Sequence, residues 1–215
     1  LLPAHLWCVG REGLEIHAAG VRNPQHSKLR CPMAQAFKYC PLCATSLVVK
    51  LFEGNEKNAC PACDFVQWDN PLPVVAIIVP HVSGGVVLIK RGMPPRLGFW
   101  ALPAGFVDHG EGPFQAAVRE AKEECGLDIK PVRLYGVYTP QGSNQILMVY
   151  LAKPVTQLPV PGSDALEAQV FPLDQLPADI AFPLHEEALH KWIKNCRRSQ
   201  KRGRSAGRGK ARAKR

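Results

Sequence analysis

The longest run of purely apolar positions, Val74-Val-Ala-Ile-Ile-Val79, is followed by a second apolar stretch, Val86 to Lys90, with Ser83-Gly84-Gly85 between them. The two read as apolar strands, Val74 to His81 and Val86 to Lys90, and the Gly-Gly link predicts that they form a hairpin. Strand patterns return at Val132 to Tyr138, Gln145 to Ala152 and Ala168 to Phe171, the last followed by Pro172. Two other stretches repeat at helical spacing. At about 100° per residue, Phe114, Ala117, Val118, Ala121 and Cys125 fall on one narrow face, with Glu120 and Glu124 on a neighbouring flank and Glu123 further round. Pro113 suits the first turn, where its missing N–H costs nothing, and Gly126 suits a left-handed residue just past the end, so this helix is short and well bounded. Leu184, Ala188, Trp192, Ile193 and Cys196 predict an amphipathic final helix. Strands with two helices packed around them make a mixed α/β layer structure.

Composition adds room for a small accessory unit, since the chain has 215 residues, 46% of them hydrophobic. No run approaches the roughly twenty apolar residues of a membrane helix. The first residues lack the basic region, apolar block and cleavage site of an export signal, so a cytoplasmic protein is expected. The net charge of +9 resembles a nucleic-acid signature, but ten of the 27 Lys and Arg lie from Arg197 onward, where there is no acid, and the other 17 face 18 acids. The basicity therefore belongs to a tail. Lys201 to Arg215 holds no apolar residue larger than Ala, so residues 198–215 are expected to be a disordered tail, in weak nonspecific contact with RNA or another polyanion, or serving only solubility. At the other end, residues 1–36 show no sustained periodicity, and Met33 stands just ahead of the first clear module. The expectation is a poorly ordered leader upstream of the natural start, against the competing reading of a natural extension cut short.

The cysteines define the accessory unit. Cys40-Pro-Leu-Cys43 is separated by sixteen residues from Cys60-Pro-Ala-Cys63, the pattern of a four-thiolate zinc ribbon, placed at residues 37–70. Four thiolates close a tetrahedral site and leave no position for water, so the zinc is expected to be structural; two disulfides or a redox pair compete with this reading. Cys125 and Cys196 lie on apolar helix faces and read as packing residues.

The first helix carries the candidate chemistry. Like charges at i,i+4 repel, and Glu120, Glu123 and Glu124 crowd two adjacent turns, so something must offset that cost. A hard divalent cation does so, because Mg²⁺ accepts a few carboxylate oxygens and completes its octahedron with waters and substrate phosphates. A solvated acidic face is the plain alternative. Arg91 and Arg96, which flank Pro94-Pro95, are candidates to grip phosphate, against the alternative of ordinary surface bases.

The spacing favours the metal site. Gly105, five residues, Glu111, seven residues, Arg119-Glu120-Ala121, one residue, Glu123-Glu124, one residue and Gly126-Leu127 meet every fixed position of the Nudix signature, with Ala121 a small occupant of a position usually filled by a larger aliphatic residue. From Phe37 to Cys196 the chain resembles zinc-ribbon-containing Nudix pyrophosphatases of the ADP-ribose and FAD type. The resemblance implies a Nudix α/β/α sandwich with a mixed sheet over residues 71–197. It also implies hydrolysis of the pyrophosphate bond of a nucleoside diphosphate linked to another group, and admits a homodimer. By the same resemblance Glu120, Glu123 and Glu124, with the Gly105 carbonyl, hold Mg²⁺ or Mn²⁺, and one glutamate or a later acid, Glu167 being the candidate, activates water. Glu111 and Arg119 have complementary charge and are expected to pair, bracing the loop against the helix. NADH or NAD-capped-RNA pyrophosphatases share the two-part layout, but their Ser-Gln-Pro-Trp-x-Phe-Pro segment has no counterpart at Tyr138 to Ser143. A zinc-ribbon RNA-binding or nucleotide-sensing protein is the reading from another class, and the intact set of acids argues against it.

Overall fold

The computed structural model describes residues 37–162 and 164–212; the expected leader at 1–36 lies outside them. The chain divides into two compact units, whose described parts are residues 37–72 with Thr139–Ile146, and Pro73–Tyr138 with the chain from Leu147.

The smaller unit is a three-stranded antiparallel sheet of β1 (Val48–Phe52), β2 (Asn55–Ala59) and β3 (Val66–Gln67), with β2 central. Glu53 and Gly54 make the two-residue turn between β1 and β2, both at positive φ (49° and 81°), the twist that a tight hairpin needs. Of its described residues Cys40, Ala59 and Cys60 alone are buried, while Leu42, Val49 and Leu51 are exposed, so this unit has almost no apolar core.

The larger unit contains β4 (Leu72–Ile78, joining it at Pro73), β5 (Gly85–Arg91), β6 (Trp100–Ala101), β7 (Ala104–Phe106), α1 (Pro113–Cys125), β8 (Pro131–Tyr138), β9 (Gln145–Ala152), β10 (Ala165–Pro172) and α2 (Pro183–Arg212). Two sheets form, ordered β7-β4-β9-β8 and β10-β5-β6, with parallel bridges at His81–Val155 and Trp100–Ile180 making the arrangement mixed. The period of two along each strand sorts the core into two layers. Ala76, Ile78, Val86 and Leu88 pack with Ala188, Leu189, Trp192 and Ile193 of α2, whereas Val75, Ile77, Val87 and Ile89 pack with Ala116, Ala117, Ala121 and Cys125 of α1. Strands covered on both faces must be apolar at every position, which is why the Val74–Val79 run is unbroken. The result is an α/β/α sandwich.

Three sequence expectations change. β4 and β5 do not pair as a full hairpin; after Pro80, which has no N–H to give, the link is confined to bonds such as His81 N to Gly85 O and Val87 N to Val79 O, and the strands enter different sheets. The buried face of α1 is also rotated: Glu120 and Glu124 are inside, whereas Phe114 is about half exposed and lines a cavity of about 430 Å³ with Val118. Finally, the backbone expected to be a disordered tail continues α2 as far as Arg212. A helix already anchored in the core needs no new nucleus to propagate, and Arg, Lys and Ala favour it while Gly203, Gly207 and Gly209 oppose it.

Candidate functional site

The site is built where β7 meets α1. Gly105 lies in β7 opposite Val75 of β4, and the Glu120 carboxylate occupies the space that a β-carbon at Gly105 would need. Glycine is required there by close approach. The start of α1 is fixed by Gly112, whose N–H donates to Gln115 Oε1 at 2.7 Å, and by Pro113 in the first turn. Its end is fixed by Gly126 at φ 67°, with Gly126 N bonded to Lys122 O and Leu127 N to Ala121 O. These caps set the rotation that carries Glu120 and Glu124 inward.

Arg119 is the hub. Its Nε and Nη2 donate to the two Glu111 oxygens at 3.0 and 2.9 Å, Nη1 donates to Glu120 at 2.8 Å and to Glu123 at 3.0 Å, and Nη2 also reaches the Phe106 carbonyl at 2.9 Å. The fork geometry of guanidinium suits such bidentate pairing. Glu111 therefore braces the loop through Arg119, whose hydrogen bonds hold the Glu111 carboxyl below its ordinary pKa. In this arrangement the guanidinium supplies the positive charge between Glu120 and Glu123.

Glu124 stands apart from that network. Ala104 N donates to its Oε2 at 2.8 Å, and burial pushes its pKa up to about 8, with Glu120 and Asp164 adding to the rise and Arg91 opposing it. Burial also raises Glu120, against the pull of Arg119. Two buried carboxylates that disfavour each other's charge, beside a backbone strand approached at contact distance, form an oxygen donor set suited to a hard divalent cation. Glu123, the more exposed of the three, is turned toward Arg119.

The remaining predicted residues divide. Arg91, at the end of β5, lies within electrostatic reach of Glu124; its guanidinium donates to Pro95 O at 2.8 Å and packs 5.0 Å from the Phe182 ring. Arg96, at φ 65°, stacks instead over Phe99 at 5.5 Å. Glu167, the candidate water-activating acid, opposes Lys90 across the β10–β5 pair, accepts from Lys90 Nζ at 2.8 Å, and is held by that bond below its ordinary pKa. Asp164 lies within electrostatic reach of Glu124. Sequence reasoning missed it, together with Gly162, whose N–H donates to Glu124 O at 3.1 Å and whose missing side chain lets this loop lie against the Glu123 carbonyl. The Pro161-Gly162 pair was the signal for a tight approach.

In the smaller unit the four cysteines converge, with Sγ···Sγ separations of 3.6 Å for Cys40–Cys63, 3.5 Å for Cys43–Cys60 and 3.8 Å for Cys43–Cys63. All are free thiols, not disulfides. Four sulfurs each about 2.3 Å from a central ion in a tetrahedron stand ~3.8 Å apart, so the set fits zinc. Leu42 N donates to Cys40 Sγ at 3.4 Å and Ala62 N to Cys60 Sγ at 3.3 Å.

Comparison with known proteins agrees with this geometry. Residues 71–195 match the model of the Nudix domain. An ADP-ribose pyrophosphatase of Methanocaldococcus jannaschii is 40% identical over 114 residues, covering 51% of this chain and 66% of that protein. An NAD-capped RNA hydrolase, NudC, of Pseudomonas aeruginosa is 31% identical over 143 residues, covering 65% of this chain and 49% of that protein. The chain thus spans between half and two thirds of the length of these curated relatives. Among solved structures, a Nudix hydrolase from Nitrosomonas europaea superposes with a TM-score of 0.68 at 32% identity, covering 74% of this chain and 91% of that one. With the signature, the sandwich and the family match all falling on the same residues, the chain belongs to the Nudix hydrolase family.

Proposed function

We propose that the chain hydrolyses the pyrophosphate bond of a nucleoside diphosphate linked to another group, with ADP-ribose or FAD as the substrate class. The carrying observation is the buried pair Glu120 and Glu124 held against β7 beside the Arg119 hub. Glu120, Glu123, Glu124 and the Gly105 carbonyl would hold Mg²⁺ or Mn²⁺, which neutralises phosphate charge and acidifies bound water. Glu111 and Arg119 hold the loop and helix in register, and Arg91, within electrostatic reach of Glu124, would meet a phosphate oxygen. Water adds to one phosphorus as the bridging P–O bond breaks, giving AMP and ribose 5-phosphate from ADP-ribose, or AMP and FMN from FAD. With Glu167 occupied by Lys90, proton acceptance falls to the helix glutamates. Zinc at the four cysteines is structural.

The similarity to a protein named as an NAD-capped RNA hydrolase supports a second reading, in which NADH or NAD-capped RNA is cut at the same bond. Incubation with Mg²⁺ and a panel of ADP-ribose, FAD, NADH, NAD-capped RNA, ADP-glucose and diadenosine polyphosphates, read by chromatography, separates the two. Release of AMP fastest from ADP-ribose or FAD is the expected result. No hydrolysis of any member by folded, metal-loaded protein would remove the reading.

A further inference from the structure

The Arg91 guanidinium is held on several sides. Its Nε donates to Pro95 O at 2.8 Å and its Nη2 to Met93 O at 3.4 Å, while its Cζ lies 5.0 Å from the centre of the Phe182 ring. The two carbonyls belong to the loop after β5, and Phe182 belongs to the segment that leads into α2. That segment is tied to β6, with Trp100 N donating to Asp179 O at 3.0 Å and Ala181 N to Trp100 O at 2.7 Å. His185 packs on the same ring: the two ring centres are 5.0 Å apart, the planes meet at 61°, and His185 is buried with no partner for Nδ1. Among the described residues, Nη1 of Arg91 has no acceptor.

We propose that Phe182 is a positioning residue for the hydrolysis, acting through Arg91 by holding the guanidinium in place for the substrate diphosphate, an inference that rests on the hydrolase reading. A cation over an aromatic face is attracted by the ring, and more strongly where water is excluded. Carbonyls at Nε and Nη2 fix one edge of the planar fork and the ring stands against it, so Nη1 is the edge left for an anion. The charge of Arg91 reaches Glu124, so the guanidinium stands within range of that buried carboxylate. An arginine fixed beforehand gives up no side-chain freedom when the diphosphate arrives, and the ring thereby strengthens binding without touching substrate. Burial and the nearby Arg91 charge lower the His185 pKa to about 4, so a neutral ring supports Phe182 without repelling the guanidinium.

The test uses the full chain with Mg²⁺. It measures kcat and KM for ADP-ribose, or whichever member of the panel is cut fastest, and by calorimetry the Kd of α,β-methylene-ADP, whose P–C–P bridge is not hydrolysed. Phe182→Leu keeps apolar volume and removes the ring, so KM and the analogue's Kd should both rise about fivefold while kcat stays within about twofold. Phe182→Tyr keeps the ring and should return both values to within about twofold of wild type. In an Arg91→Ala background Phe182→Leu should change neither value further, a coupling that packing alone does not produce. Should Phe182→Leu not fold, Phe182→Met serves the same comparison. In a protein that cleaves the panel, equal losses from Phe182→Leu with and without Arg91, an unchanged KM and Kd in folded Phe182→Leu, or a Phe182→Tyr as weak as Phe182→Leu would overturn the inference alone. A wild-type protein that binds the analogue and cleaves no member of the panel would overturn the hydrolase reading, and the inference with it.

Discussion

Single side chains decide the chemistry, and the proposed metal-binding and paired carboxylates on α1 should reveal themselves by moving activity and stability in opposite directions. Glu124→Gln keeps size and hydrogen-bond capacity and removes a buried charge, so kcat should fall by on the order of 100-fold, ~3 kcal/mol of transition-state stabilisation. Metal-free stability should hold or rise, because desolvation already disfavours the Glu124 carboxylate. Wild-type turnover with an unchanged Mg²⁺ requirement in folded Glu124→Gln and Glu120→Gln would leave the pair without a catalytic part. Gly105→Ala tests the same geometry from the strand side: the new methyl needs the place of the Glu120 carboxylate. A displacement of about 1 Å in such a site costs about 100-fold, and melting temperature should change little by comparison. His185 supplies a pH prediction away from the acids. Burial, helped by Arg91, lowers its pKa from 6.5 to about 4, and its Nδ1 makes no hydrogen bond. Between those values the unfolded chain binds the proton and the folded one does not, so stability is full above 6.5 and is lost as pH falls toward 4, by an amount on the order of 3 kcal/mol. His185→Phe should flatten the melting temperature across that window; an unaltered pH profile in the variant would assign the acid loss elsewhere. The signature residues were legible because their spacing is fixed by one helix. The burial of Glu124 and the approach of Asp164 were not, since they depend on β7 and on a loop distant in sequence.

Elements were legible in proportion to their length and to how local their cause is. The β9 strand was read from Gln145 to Ala152, the same residues that the structure assigns, because its apolar pattern is long and unambiguous. β6 and β7 have two and three residues, too few for a period, and are strands only because β5 and β4 pair with them. On α1 the error was one of phase: moment reasoning places carboxylates outside, whereas here they point inward against β7 and leave Phe114 uncovered. The ribbon is the opposite case, since its cysteine spacing was plain and its stability cannot come from apolar burial. With Cys40, Ala59 and Cys60 its only buried described residues, the proposed zinc at the four cysteines would supply what apolar burial does not. A strong zinc chelator, or Cys43→Ser, should therefore unfold residues 37–72 while the α/β/α sandwich keeps its amide-exchange protection. A Cys43→Ser protein that still binds one zinc per chain with full thermal stability would show that Cys43 is not a ligand.

At the scale of the whole molecule, charge and chemistry are segregated. The body is nearly neutral, the proposed catalytic acids lie on α1, and ten bases lie from Arg197 onward. Removing the chain after Gln200 keeps the turn in which Ser199 Oγ donates to Asn195 O, and with it the end of the packed half of α2, including the Asn195 bond to Tyr135 Oη at 3.2 Å. Such a truncation removes eight bases and none of the described core residues. If the cationic segment served the hydrolytic site, by steering an anionic dinucleotide or by touching its phosphates, kcat/KM for ADP-ribose would drop on truncation and the full chain alone would lose activity with added salt. The sequence separation favours independence. The expected outcome is a kcat/KM for a small dinucleotide within about twofold of the full chain, with parallel salt profiles for the two proteins. Loss of dinucleotide hydrolysis in a truncated protein of unchanged melting temperature would place the segment in the active site. An unchanged rate in a truncated protein of unchanged melting temperature would leave the first half of α2, which packs against the sandwich core, as the part of the helix that hydrolysis needs.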